Sequence, residues 1–128
     1  MKKLAIIDDS PMMRAFLGKY FVKNWDVRTF EDSLEFTKAM EDERYVPHII
    51  ISDYHTPGMT AVDLVRLIKN SQYNIPVLII SGNGSSNNKI ESINSGAMDF
   101  VEKPFNPKEL EARLNRVSQF QNRNHYVY

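Results

Sequence analysis

The sequence contains no cysteine, and its 16 Lys and Arg residues are balanced by 16 Asp and Glu residues, so the net charge is zero with His neutral. The absence of cysteine excludes disulfides, thiolate metal sites and cysteine nucleophiles. The absence of a basic excess disfavours a general nucleic-acid binder. We therefore expect no cysteine-dependent chemistry and no direct nucleic-acid partner.

Long apolar runs are also absent at the N-terminus, where MKKLAIIDDSP has four apolar residues before two aspartates. That run is too short for a signal-peptide core or a membrane span. We therefore expect a cytoplasmic protein with no membrane partner. A length of 128 residues fits one domain, which we predict over residues 1–122, with a short C-terminal tail at residues 123–128.

Five segments have the composition of strands: residues 4–7, 27–30, 48–51, 76–80 and, more weakly, 98–101. The first, third and fourth are apolar throughout, which is typical of parallel strands covered by helices on both faces. Helical patterns lie between them, so the chain is predicted to be an α/β protein in which strand and helix alternate five times.

The predicted helices have recognisable starts. Ser10 and Pro11 begin the first helix, Thr60 the third and Asn106 the fifth. The second is predicted over residues 31–40 and the fourth, with the weakest pattern, over residues 87–95. One apolar face of the first helix is expected to be buried, and it comprises Met13, Phe16, Leu17, Tyr20 and Phe21.

Chemically active side chains follow four of the five strands. In an open parallel sheet the ligand site lies beyond the carboxyl ends of the strands, so these side chains are expected to share one edge. Taken singly, each has a plain structural explanation as a capping, turn or surface residue, and only their combination indicates a site. They are Asp8, Asp9, Asp53, Ser81 and Lys103.

This combination suits a phosphoryl group and a divalent cation. Three neighbouring carboxylates repel one another, and a divalent cation relieves that repulsion. Oxygen ligands without cysteine or a histidine pair favour Mg²⁺. Lysine binds phosphate as a point charge, and a hydroxyl can donate to a phosphoryl oxygen. The sequence therefore predicts a site at which a carboxylate carries or receives a phosphoryl group.

Five motifs resemble those of the response-regulator receiver domains of two-component signalling, of the stand-alone chemotaxis type. They are IIDDS at 6–10, SDYHTPGM at 52–59, LIISG at 78–82, GAMDF at 96–100 and KPF at 103–105. The resemblance covers about residues 3–120. It implies a flavodoxin-like (βα)₅ three-layer sandwich with a five-stranded parallel sheet of order 2-1-3-4-5.

The resemblance also implies a phosphoacceptor and a metal site. Asp53 matches the phosphoacceptor, and Asp8 and Asp9 match the acidic pair that binds Mg²⁺ together with Asp53. The backbone carbonyl of His55 matches a further Mg²⁺ ligand. The protein would then be a signalling switch that catalyses only its own phosphorylation and dephosphorylation, rather than an enzyme.

The remaining matches imply how a signal leaves the site. Ser81 matches the hydroxyl that contacts the phosphoryl group, Lys103 the lysine that pairs with it, and Lys103–Pro104 a cis peptide bond. Phe100 matches the aromatic residue that turns inward when Ser81 moves. The implied donor is a histidine kinase or a histidine phosphotransfer protein. The implied protein target would bind the face formed by the fourth helix, fifth strand and fifth helix.

Three alternatives remain open on the sequence. The chain could be a receiver cut from a longer regulator or a phosphorelay intermediate. It could be an Mg²⁺-dependent phosphohydrolase that forms an aspartyl phosphate, although the haloacid-dehalogenase-like enzymes place a second Asp where this chain has His55. A small flavodoxin-like cofactor binder is the third, although Asp8 and Asp9 would repel a phosphate in the first loop.

Overall fold

The computed structural model describes residues 1–82 and 86–127, and in these ranges strands alternate with helices. The strands are β1 (Lys3–Ile7), β2 (Asp26–Phe30), β3 (Ile49–Asp53), β4 (Val77–Ser81) and β5 (Asp99–Glu102). The helices are α1 (Pro11–Phe21), α2 (Ser33–Asp42), α3 (Ala61–Lys69), α4 (Ser86–Ser95) and α5 (Pro107–Val127). All strand pairs are parallel, and the sheet order is β2-β1-β3-β4-β5. The predicted flavodoxin-like α/β fold is confirmed.

The sheet has an apolar core on each face, because alternate residues of a strand point to opposite sides. In β1, Leu4 and Ile6 belong to the core beneath α1 and α5, whereas Ala5 and Ile7 belong to the core beneath α2 and α3. The central strands β1, β3 and β4 are almost completely buried. Burial on both faces explains why these strands lack polar and apolar alternation in the sequence.

The predicted helix starts are largely confirmed by side-chain caps. The Ser10 hydroxyl accepts from the Met13 amide, and Thr60 and Asp63 form a capping box at α3. The Asn106 carboxamide accepts from the Lys108 amide at the start of α5. The second helix begins at Ser33 and not at the predicted residue 31, because the Asp32 carboxylate caps the Glu35 amide.

One buried position was predicted wrongly. Phe16 is 46% exposed, although Leu17 and Phe21 on the same helix are buried and Met13 and Tyr20 pack partly against the core. The apolar face of α1 is therefore wider than the strip that the sheet and α5 cover.

Asp53 and Ser81 are the last residues of their strands rather than the first residues of the following loops. Asp53 pairs in register with Ile80, and Ser81 pairs with Glu102. The C-terminal helix α5 continues as far as Val127, through most of the segment that the sequence analysis assigned to a tail, and Tyr128 lies outside the described residues. In the described part of the chain, no helix combines the length and apolarity that crossing a bilayer requires.

His48 gives the fold a testable dependence on pH. Its Nδ1 accepts a hydrogen bond from the Lys3 amide at 2.9 Å, which requires an unprotonated Nδ1. Burial lowers the pKa of His48, and the positive charges of Lys2 and Lys3 lower it further. The unfolded chain therefore takes up the proton first, and stability is lost as pH falls below about 6.5, the ordinary histidine value.

We expect the wild type to lose less than about 1 kcal/mol between pH 7.5 and pH 5.5 through this group, because water screens an exposed side chain. The matched variant is His48→Asn, whose carboxamide oxygen can accept the same bond without titrating. Urea denaturation across that pH range measures the difference between the two proteins. If the difference in unfolding free energy between the wild type and His48→Asn is the same at pH 7.5 and at pH 5.5, His48 does not contribute to the pH dependence of stability.

Candidate functional site

The acidic cluster forms at the carboxyl edge of the sheet. Asp8 directly follows β1 and is 2% exposed, Asp53 ends β3 and is half-buried, and Asp9 is exposed. Their nearest carboxylate oxygens all lie within 4.8 Å of one another. The structure therefore brings together the three carboxylates that the sequence predicted to meet.

Lys103 reaches the same cluster from the end of β5. Its Nζ lies 3.5 Å from Asp8 Oδ2 and 3.6 Å from Asp53 Oδ1, and the side chain is 24% exposed. Three ionised carboxylates and one ammonium leave a formal charge of −2 in the pocket. The charge and the all-oxygen ligands suit a divalent cation such as Mg²⁺.

Burial raises the pKa of Asp53 above the ordinary aspartate value, and Lys103 opposes this while the charges of Asp8 and Asp9 add to it. Ionising Asp53 in the folded protein is therefore unfavourable when the cluster has no added positive charge. A bound cation would reverse this effect, because it favours the charged form of the carboxylate.

Local hydrogen bonds hold the loop after β1 in place. The Ser10 amide donates to Asp8 Oδ1 at 2.9 Å, and Arg14 Nη1 donates to the Asp8 backbone carbonyl at 2.7 Å. Arg14 is not among the site residues predicted from the sequence. Its position one turn after the Ser10 cap places it beside this loop, which is the signal that could have indicated a role.

Ser81 and Phe100 are both near the edge but differ in exposure. Ser81 is fully buried, and its Oγ has no hydrogen-bond partner among the described residues. Phe100 is half-buried and lines a cavity of about 310 Å³ with residues of α4 and α5. A buried hydroxyl without a hydrogen-bond partner destabilises the folded state. An acceptor placed within reach of the Ser81 hydroxyl would relieve this cost.

The other predicted residues lie in the loops beside the cluster. His55 is exposed in the loop between β3 and α3, and its ring packs edgewise on Tyr54 at 4.7 Å between centroids. The Lys103–Pro104 peptide bond is cis. Asn83, Gly84 and Ser85, which precede α4, lie outside the described residues.

A family profile described as response regulator receiver domain matches residues 4–115, which is most of the chain. The chain belongs to the response-regulator receiver domain family. Members of this family act as phosphorylation switches. The acidic pocket of this chain, with Lys103, lies at the carboxyl edge of the sheet. The chain is thus a phosphoacceptor domain rather than an ordinary enzyme.

Individual relatives agree with this assignment. The chain is 32% identical over 115 residues to the two-component response regulator PhoP of Pseudomonas aeruginosa, covering 90% of this chain and 51% of that protein. It is 29% identical over 119 residues to the phosphate regulon transcriptional regulatory protein PhoB of the same species, covering 91% and 51%. The chain therefore spans about half the length of these curated relatives.

A solved structure shows the same architecture. The receiver domain of the Francisella response regulator 1452 superposes with a TM-score of 0.85 at 27% identity, covering 94% of this chain and 99% of that one. The likeness extends over nearly the whole sheet and its helices, so the receiver fold accounts for almost all of the present chain.

Proposed function

We propose that Asp53 of this receiver domain accepts a phosphoryl group from a phosphohistidine of a histidine kinase or phosphotransfer protein. The observation that carries the proposal is the meeting of Asp53 with two further carboxylates and one ammonium at a single strand edge. In the transfer, a carboxylate oxygen of Asp53 bonds to phosphorus while the bond from phosphorus to the histidine nitrogen breaks. The product is an aspartyl phosphate and a free imidazole.

The residues of the pocket fit an Mg²⁺ ion. Asp8, Asp9 and Asp53 would hold it, together with the backbone carbonyl of His55, which the family resemblance implies. When bound, the ion neutralises charge on the phosphoryl oxygens and on the carboxylates. Lys103 would pair with the phosphoryl group, since its Nζ already lies 3.6 Å from Asp53. These are the positioning and charge-neutralising roles that phosphoryl transfer needs.

The signal would leave through Ser81 and Phe100. A phosphoryl group adds nearly two negative charges at Asp53, and the Ser81 hydroxyl would donate to it. Movement of Ser81 would open space for the ring of Phe100 to turn inward from the cavity that it lines. The face formed by α4, β5 and α5 would change shape, and a protein target would bind the changed face.

The alternatives of the sequence analysis are less well supported. Membership of the receiver family, together with His55 in place of a second acid, argues against the phosphohydrolase. A receiver that acts within a longer regulator, or as a phosphorelay intermediate, uses the same pocket and the same chemistry.

The test is incubation with Mg²⁺ and acetyl phosphate, read by intact mass. We expect the wild type and Asp42→Asn, a matched change of an exposed aspartate at the end of α2, to gain one acid-stable and base-labile phosphoryl group. Asp53→Asn should lose more than 95% of that gain, and so should the wild type with the metal chelated. A gain in Asp53→Asn equal to that of the wild type would contradict the proposal. So would a wild type that neither gains mass nor binds beryllium fluoride, a phosphoryl mimic.

A further inference from the structure

The buried side of helix α4 carries serines, whereas its isoleucines lie on the solvent-exposed side. Its buried residues are Ser92 and Ser95, whereas Ile90 and Ile93 are 56% and 58% exposed. Six of its ten residues are Ser or Asn, which stabilise a helix less than Ala, Leu or Glu do. The helix therefore gains little from apolar burial in the position seen here.

The packing of that inner face is also imperfect. Ser92 is fully buried, and its Oγ has no hydrogen-bond partner in the described part of the chain. A buried hydroxyl in this condition weakens the packed state. The position of α4 therefore depends more strongly on the hydrogen bonds that it makes with neighbouring elements.

One such bond starts at the residue directly after Asp53. Tyr54 is 5% exposed, and its hydroxyl donates to Glu91 Oε2 on α4 at 2.8 Å. The Tyr54 amide donates to the Ile80 carbonyl at 2.7 Å, and its carbonyl accepts from the Ala61 amide at 3.0 Å. Tyr54 is therefore held by β4 and α3 at its backbone while its hydroxyl reaches α4.

The bond joins the Tyr54 phenol to the side-chain carboxyl group of Glu91. Burial raises the pKa of Tyr54 to about 12, and the hydrogen bond to Glu91 adds to the effect. The phenol therefore keeps its proton and donates to a carboxylate, which is a stronger bond than one between neutral groups.

Phe100 is half-buried beside α4, where it packs partly against the core. The ring borders the surface cavity between α4 and α5, together with Lys89 and Ile93 of α4 and Arg113 of α5. A shift of α4 would change the wall of this cavity, so the position of α4 and the position of Phe100 are coupled through shared space.

We propose that the Tyr54–Glu91 hydrogen bond is a latch that holds α4 in the position seen here and breaks when Asp53 is phosphorylated. The latch regulates the same pocket and so rests on the proposed function. It connects Tyr54, the residue next to Asp53, directly to α4 on the face formed by α4, β5 and α5, and this connection is separate from that made by Ser81 and Phe100. Because the bond stabilises only one of two states, its loss must favour the other.

The test removes the hydrogen-bonding group at each end of the bond while keeping a side chain of similar size and shape. Tyr54→Phe keeps the ring, and Glu91→Met keeps an unbranched side chain of similar helix propensity. Without metal or phosphodonor, we expect amide hydrogen exchange over α4 to become about tenfold faster in each variant, a change of about 1.4 kcal/mol in the opening equilibrium. In calorimetric titrations with Mg²⁺, beryllium fluoride should bind each variant about three- to tenfold more tightly.

The chain offers a matched control in a second tyrosine–glutamate bond. The Tyr20 hydroxyl donates to Glu111 Oε1 at 3.4 Å between α1 and α5. Tyr20→Phe and Glu111→Met should change neither α4 exchange nor beryllium fluoride affinity by more than about twofold. In the double variant Tyr54→Phe/Glu91→Met, the rise in α4 exchange and in beryllium fluoride affinity should be no larger than in either single variant, because both changes remove the same bond.

The outcomes separate the latch from the proposed function. Unchanged α4 exchange in Tyr54→Phe overturns the latch, and so does a rise no larger than that in Tyr20→Phe. Faster exchange with unchanged or weaker beryllium fluoride binding also overturns it, because the bond would then be at least as strong in the beryllium fluoride-bound state as in the free state. A wild type that binds no beryllium fluoride contradicts the proposed function instead, and the exchange result still decides whether the bond holds α4.

Discussion

Asp53→Asn is expected to make the metal-free protein more stable than the wild type at pH 7, by about 1–2 kcal/mol. Asp53 is half-buried beside Asp8 and Asp9, and its own ionisation adds to an excess of negative charge. The asparagine has nearly the same shape and no charge. The gain should appear as a rise of about 3–6 °C in melting temperature.

The pH dependence has a definite sign. The pKa of Asp53 is raised in the folded protein, chiefly by burial. The unfolded chain therefore loses this proton at a lower pH than the folded protein does. The advantage of Asp53→Asn should be absent below about pH 3.9, the ordinary aspartate value, and should grow as pH rises through the folded pKa, then level off.

Two controls test the cause. Asp99→Asn should lower stability by about 1 kcal/mol, because Asp99 accepts bonds at 2.9 Å from Arg113 and at 3.2 Å from Arg116 and is not in an acidic cluster. Saturating Mg²⁺ should stabilise the wild type more than Asp53→Asn, since binding to the folded state adds to its stability. Equal unfolding midpoints for the wild type and Asp53→Asn, in chelator and in Mg²⁺, would argue against a strained acidic cluster.

Gly96→Ala and Gly18→Ala are expected to change stability in opposite directions. Gly96 directly follows α4 and has a φ of +97°, and an added Cβ would collide with the end of the Lys69 side chain. An L-residue pays about 1–2 kcal/mol in that backbone region, so Gly96→Ala should destabilise by about that amount. Gly18 lies inside α1, where a Cβ would meet Thr29 Cγ2 at an ordinary 3.6 Å.

Gly18→Ala should accordingly stabilise the protein by about 0.5–1 kcal/mol, because alanine favours the helix interior. Chemical denaturation of the two variants and the wild type measures both effects. A destabilising Gly18→Ala would show that α1 needs the glycine for packing. A neutral Gly96→Ala would show that the end of α4 relaxes into another conformation.

The fold was largely predictable because its signals are local. The strands β1, β3 and β4 are buried on both faces, so their apolar runs stand out without any knowledge of their partners. The starts of α1 and α3 depend on caps within three residues of one another. The start of α2 was predicted wrongly because Glu31 fits a helix pattern as well as Ser33 does, and only the cap at Asp32 decides between them.

The acidic pocket was predictable because topology converts position in the sequence into position in space. Parallel strands end at the same edge, so residues at strand ends meet even when they are far apart in the chain. Asp8, Asp53 and Lys103 were found in this way, and their distances agree with the expectation. Arg14 was missed because its partner is a backbone carbonyl, and only its position one turn after the Ser10 cap indicates that it lies beside this loop.

The sequence by itself determined the fold and the composition of the pocket, since both depend on residue types at strand and helix ends. Only the tertiary structure decided which way α4 faces, why Phe16 is exposed and that Tyr54 reaches Glu91. These features depend on how wide a strip of each helix its neighbours cover and on contacts between residues far apart in the chain. Helical periodicity places residues on one side of a helix but does not say which side the sheet will bury.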